Sequence, residues 1–377
     1  MKLVRAFLAG LACALLLRAP FAVAATPEAA ISEKIAPYEA RFGRTHPVIA
    51  VIGENGHSDS TTELMDFVVP YSVLARSGLA QMVTVATAPG PLTMRPALRL
   101  QPDATIGQFD LLYPDGADYV IVPAVAATAD PQLLGWLLAQ HNKGATLVSI
   151  CDGALVLANT GLTRHHRATA HWDTQSLRRE KYPDTQWIAN IRYVADGKIV
   201  SSAGISAALP LSLALVEAIG GRSAASTLAQ QLGVVDWSAQ HDSDVFLPRF
   251  GTNLHAFVTV QYTNRWWHER QQIGLPVTDG VDELALAVSA DAYSRTGRSE
   301  ALSVAPSSDA IRTAHGLILL PDRISGKNGQ LLVEVPSFDG VPAGRILDLT
   351  LQDIIQRYGP LTAYGVALDL EYPGYTL

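Results

Sequence analysis

The sequence predicts an α/β fold whose sheet is parallel and covered on both faces. Three observations carry that prediction. Short, continuously apolar runs of the buried-strand type alternate with segments of helical period. The helical segments close on glycine, at Gly78 and Gly144. One strand-like run, ATLVSI, stops at Cys151 and passes at once into the helix-like DGALVLANTG, the strand–turn–helix order of a nucleophile elbow.

The 377 residues suffice for two or three domains, and a hydrophobic content of 48% builds a core without disulfide staples. A formal charge of −7 leaves no electrostatic footprint for a phosphate backbone, so no nucleic-acid partner is expected. Residues 1–24 read as a secretory signal. Lys2 and Arg5 give the positive start, Ala6 to Leu17 the apolar stretch, and Ala22-Val23-Ala24 the small residues that signal peptidase needs. The stretch is about half of the ~20 residues a spanning helix requires, and Arg18 ends it. An uncleaved anchor is the competing reading. The expectation is a periplasmic or secreted protein with no membrane span once mature. Cys13 leaves with the signal, so the mature chain keeps one thiol, Cys151, and no internal disulfide.

Residues 25–45 are polar and read as a linker with some helix. PVIAVIG is the first strand, TTELMDFVVPYSVLARSG a helix and MVTVATA the second strand. Residues 89–116 are rich in proline and turn residues and predict a small hairpin. DYVIVPA is the third strand, PQLLGWLLAQHNKG a helix and ATLVSI the fourth strand. Beyond the elbow, WIANIRYV and KIVSS flank the turn Asp196-Gly197, and SAALPLSLALVEAIGG is a helix that completes a domain over 46–222. Residues 223–275 read as a helical extension with the aromatic anchors Trp237, Trp266 and Trp267. In 276–377, VDELALAVSADAYSRTG and ALSVAPSSDAIRTAHGLILLPD echo TELMDFVVPYSVLARSG and MVTVATAPGPLTMRPALRLQPD. The copy has Ala285 where the first has Asp66, and no elbow follows. It reads as a degenerate partial repeat that has kept packing and lost chemistry; chance similarity of two helix–strand units is the alternative.

A nucleophile on such a bend faces the first N–H groups of the following helix, which stabilise a thiolate or an oxyanion. Gly153 and Ala154 are small enough for the backbone to approach closely. A buried structural cysteine fits the position equally well. The acidic candidate is Asp66, amid Leu64, Met65, Phe67, Val68 and Val69, where burial raises a carboxyl's proton affinity and lets it share a proton with the thiol. A partly exposed helix aspartate is the competing pattern. His171, in RATAHWD, lies about twenty residues past the elbow, and spacing alone leaves it as readily structural as catalytic.

VSICDGALVLANTGLTRHHRATAHWD, KIVSSAGISAALPLSLALVE and DFVVPYSVL occur in the order of three motifs of the ThiJ/PfpI family, in the class I glutamine amidotransferase-like superfamily. The resemblance covers residues 46–222 and is closest to isocyanide hydratases and the PfpI-like domains of AraC-type regulators. It implies a flavodoxin-like sandwich with Cys151 as nucleophile, Asp66 as its acidic neighbour and His171 at the family's histidine position. It also implies oxyanion donors at the N–H of Asp152 and in another loop near Ala124. An aspartate at position 66 is similar to the hydratases. Asp152 departs from the usual threonine: its carboxylate either opposes thiolate formation or turns outward and caps the helix. Two helix-turn-helix units, as in the regulators, do not fit into 223–275.

The expected activity is attack of Cys151 on a small isocyanide- or carbonyl-like electrophile, with Asp66 relaying the proton and no metal or organic cofactor. A ligand-binding or redox-sensing module, in which Cys151 captures a ligand or is oxidised, is the alternative. A structural relic without chemistry is a third. A homodimer is in keeping with the resemblance, and the appended repeat could instead occupy that surface from within one chain.

Overall fold

Val48–Gly53 is buried at every position and lies in the middle of a seven-stranded sheet. The spatial order is Tyr193–Asp196, Ile199–Ser202, Thr146–Ser149, Tyr119–Val122, Val48–Gly53, Gln81–Ala86 and Ala104–Thr105. Neighbours are parallel except the hairpin over Asp196-Gly197. The computed structural model describes residues 33–59, 61–326, 333–335 and 340–377. Residues 1–24, expected to be a secretory signal, lie outside them.

Alternate strand residues feed two cores. Ile49, Val51, Ile121 and Val148 pack with helices Leu64–Ser77 and Ala208–Leu232. Val48, Ala50, Ile52, Val120 and Val122 face Phe109, Leu133, Leu137 and Val156 on the other side. The sheet is thus covered on both faces, as its unalternating sequence requires. Eleven consecutive residues of the first helix, Leu64 to Leu74, are buried, which a helix lying on a sheet alone does not achieve. Its outer face is covered by helix Glu283–Arg295.

That second helix belongs to a smaller sheet. Gln271–Pro276 and Ser299–Ala305 pair in parallel on either side of it, flanked by Val333–Glu334 and Arg323–Ile324. Hairpin Leu92–Arg95/Arg99–Gln101 joins hairpin Ile311–Arg312/Ile318–Leu319 through the pairing of Leu100 with Leu319.

Several sequence expectations change. Residues 33–46 carry no helix: Arg41 and Arg44 bind Asp118, and Tyr38 N–H donates to the Ala218 carbonyl, so the segment is tied to the domain. The helix expected to end near 221 continues to Leu232, breaking direction at Gly221 (φ 83°, ψ 168°). Ile205–Leu232 is long and apolar enough to cross a membrane by length and composition, yet its apolar side packs on the first helix. Trp237 is a buried anchor, whereas Trp266 and Trp267 are each 77% exposed.

Candidate functional site

Strand Thr146–Ser149 delivers Cys151 to the carboxyl edge of the sheet, where sites of open α/β folds form. Cys151 sits at φ 54°, a left-handed conformation costing a side-chain-bearing residue about 1–2 kcal/mol. Its N–H donates to Ser202 Oγ at 3.4 Å. Helix Gly153–Thr160 starts immediately. A Cβ on Gly153 would lie 2.0 Å from the Val122 carbonyl oxygen, so only glycine lets the helix come this close to the neighbouring strand.

The thiol is 5% exposed. Burial pushes its pKa well up, and the carboxylates of Asp66, Asp152 and Glu63 push in the same direction, while the Asp152 N–H pulls it down. At neutral pH the group is a thiol. Asp152 takes the first of the two courses its sequence position suggested: its charge opposes thiolate formation. Its side chain makes no cap; Oδ1 accepts the Thr174 hydroxyl at 2.7 Å. Burial raises its pKa, against the pull of His171, Thr174 and Arg178.

Asp66 is fully buried on the first helix. Oδ2 accepts the Ala124 N–H at 3.1 Å, and Oδ1 has no hydrogen-bond partner among the described residues. Burial and the Glu63 carboxylate raise its pKa, so Asp66 holds a proton far above the ordinary carboxylate range; Ala124 and Arg295 only moderate this. The Ala124 N–H, expected to face an oxyanion, is thus engaged by the acid. No hydrogen bond links Asp66 to the Cys151 sulfur among the described residues.

His171 is buried and held by both ring nitrogens. Nδ1 accepts the Asp173 N–H at 3.3 Å and Nε2 donates to the Asp369 carbonyl at 3.1 Å, which fixes the orientation of the ring. Its partner is the C-terminal helix, and no bond to Cys151 is recorded among the described residues.

Sequence reasoning missed a charged cluster beside this pair. The Arg295 guanidinium lies against Glu63, Asp291 and Asp369, and Arg95 adds a contact to Glu63 at 3.2 Å. Burial alone would lower the pKa of Arg295, but the three carboxylates raise it well up and keep it charged. Burial likewise pushes Asp369 up, and Arg295 more than reverses it. Glu371 Oε2 accepts the Gly204 N–H at 2.7 Å, and Oε1 meets His241 and Ser243. A Cβ on Gly204 would strike Glu371 at 2.4 Å and His171 at 2.8 Å. The signal was present in the shared Arg-x-Gly ending of the two helical segments, which includes Arg295.

Residues 58–218 match the DJ-1/PfpI family. The isonitrile hydratase of Pseudomonas putida is 30% identical over 173 residues, 45% of this chain and 72% of that protein. The chain belongs to the DJ-1/PfpI family. The HTH-type transcriptional regulator CdhR of Pseudomonas aeruginosa is 31% identical over 132 residues, 34% of this chain and 39% of the regulator. The crystal structure of Drosophila melanogaster DJ-1β, 20% identical, aligns with 51% of this chain and 100% of its own at a TM-score of 0.45. An AraC family transcriptional regulator from Pseudomonas putida aligns with 50% and 99% at 0.43, with 18% identity.

Proposed function

We propose that the protein is an exported, cysteine-dependent hydratase acting on a small isocyanide- or carbonyl-like electrophile. One juxtaposition carries the reading. A proton-bearing thiol on the bend receives the Asp152 N–H and is electrostatically linked to a buried carboxyl, Asp66, whose Oδ1 has no partner among the described residues. For an isocyanide R–N≡C, sulfur bonds the terminal carbon and the thiol proton, passed through Asp66, goes to that carbon, giving R–N=CH–S–Cys151. Water adds across the C=N bond, the C–S bond breaks, and sulfur recovers a proton as the formamide R–NH–CHO departs. One water is consumed and no cofactor is needed. The narrow exposure of Cys151 favours a slender, terminal group over a hindered carbonyl, and the similarity to an isonitrile hydratase points the same way.

Formamide formation from cyclohexyl isocyanide, followed by proton NMR, tests this. Wild type turns over, Cys151→Ala does not, and Asp66→Asn falls by roughly a hundredfold or more. A wild type inert to small isocyanides and aldehydes, or a Cys151→Ala variant as fast as wild type, overturns the proposal.

A redox-sensing or ligand-capturing module is the second reading, favoured by the similarity to a regulator. Mass spectrometry after mild peroxide decides: a Cys151 that stays reduced removes it. Export rests on the pattern of residues 1–24; N-terminal sequencing of protein recovered from a bacterial periplasm should find the chain starting after Ala24, and an intact Met1 would refute cleavage.

A further inference from the structure

Two sets of elements are related by constant spacing. Helix Leu64–Ser77 is matched 219 residues later by Glu283–Arg295, so that Glu63 corresponds to Asp282, Ser72 to Asp291 and Arg76 to Arg295. The spacing holds in the hydrogen bonds. Thr84 and Asp103 bind through hydroxyl, carboxylate and backbone N–H, and Ser303 and Asp322 repeat the same bonds. Val85 pairs with Ala104 as Val304 pairs with Arg323. Further on the spacing is 138: the short turn Ile205–Ala207 and helix from Ala208 correspond to Ala343–Arg345 and the helix from Ile346. Gly221 (φ 83°, ψ 168°) breaks the first, and Gly359 (φ 87°, ψ 162°) separates the second from Pro360–Asp369. Between the matched stretches, residues 106–204, which hold the Ala124 loop, the Cys151 elbow and His171, have only the 325–342 stretch as their counterpart in the sequence.

The contacts between the sets are reciprocal. Arg76 reaches across to Asp282, and Arg295 reaches back to Glu63. Ser206 N–H donates to the Leu370 carbonyl, while Gly344, its counterpart, abuts the carbonyl of Leu232, the counterpart of Leu370. A cavity of about 60 Å³ between the sets is lined by matched residues, among them Met65 with Leu284, Val69 with Val288 and Leu209 with Leu347. This is the geometry of an isologous dimer, here within one chain.

We infer that residues 271–371 are a truncated second copy acting as a covalently attached partner subunit, and that it completes the single Cys151 site with Arg295 as a positioning residue. Arg295 acts through Glu63, whose carboxylate otherwise bears on both Asp66 and Cys151. The charged and titratable groups around that pair are Glu63 and Arg95 from the first copy, Asp152, His171 and Arg178 around the elbow, and Asp291, Arg295 and Asp369 from the second. Ala285 stands at the position that matches Asp66, so only the Arg295–Glu63 side of the exchange lies beside a buried acid on the matched helix. The inference rests on Cys151 being the functional centre but not on its reaction.

The test is the thiolate absorbance at 240 nm against pH, taken as the difference from Cys151→Ala, with no substrate present. Removing a buried cation raises proton affinity, so Arg295→Gln moves the Cys151 titration up by roughly one unit, and Arg295→Lys restores most of it. Arg76→Gln removes the reciprocal ion pair and leaves the titration in place. If Arg295→Gln fails to fold, Glu63→Gln serves: it lowers the titration while Asp282→Asn does not. Equal shifts from the matched variants, or no shift from Arg295→Gln and Glu63→Gln, overturn the inference. Absent isocyanide turnover with the asymmetric shift intact overturns only the hydratase reading.

Discussion

Gly153→Ala isolates what the elbow requires of its sequence. The added methyl would lie 2.0 Å from the Val122 carbonyl oxygen, 2.9 Å from its carbon and 3.0 Å from the Pro123 carbon. Carbon–oxygen contacts below 3.0 Å are essentially never seen, and all three atoms are backbone at the end of strand Tyr119–Val122, with no side chain to swing away. The helix must therefore retreat by about 1 Å, which costs the ~3 kcal/mol of severe overpacking and withdraws the Asp152 N–H from the sulfur. With unfolding entropy of about 2.1 cal/mol/K per residue, a chain of 377 residues falls in Tm by roughly 4 °C, read by circular dichroism. Gly135→Ala is the control: it lies inside Pro131–Asn142 with nothing within 4 Å of its added methyl, and should gain about 0.5–1 kcal/mol. A Gly153→Ala melt within a degree of wild type would refute the close approach.

Asp66→Asn should raise Tm at neutral pH while activity falls. The native carboxyl's pKa is raised, so its ionisation opposes folding increasingly as pH climbs above the unfolded value, and the variant's advantage should vanish in acid; an advantage equal at pH 4 and pH 8 refutes it. Glu371→Gln works in the opposite sense. Burial raises this carboxyl, but His241, His171 and Ser243 outweigh that and hold it low, so its stabilisation is present above the unfolded pKa and is lost as pH falls through the native one. The variant should lose about 2 kcal/mol at pH 7 and converge with wild type in acid melts. Val288→Ile adds one methyl group to the apolar cavity between the matched helices and should gain up to about 0.8 kcal/mol; a destabilised variant would mean the cavity is not open to that side chain.

The parallel strands and the elbow were legible because both are written locally. An uninterrupted apolar run states burial on two faces, and a strand that meets Cys151-Asp152-Gly153 leaves little room for another geometry. Asp66 was legible as a carboxyl in an apolar helix. What its oxygens touch was not, since Ala124 is 58 residues away. His171 shows the limit most clearly: its position matched a family motif, but its partner, Asp369, lies 198 residues further on. Trp266 and Trp267 looked like anchors because tryptophan is usually buried, and no local pattern said that their helix would present them outward. The helical continuation past Gly221 was hidden because a glycine pair normally ends a helix, whereas here one residue turns the chain and the next segment resumes.

The seating of Glu371 on Gly204, 167 residues apart in the chain, has a bearing on biogenesis. Sheet, elbow and acid are all synthesised by residue 202, but Arg295, which pairs with Glu63, and Asp369, whose carbonyl holds His171, come later in the chain. Domains made early generally fold early, so a nascent chain should carry a formed elbow with an unfinished charge balance until Arg295 and Asp369 arrive. A chain cut short before Arg295 should then fold its main sheet yet hold the Cys151 sulfur in a different electrostatic setting.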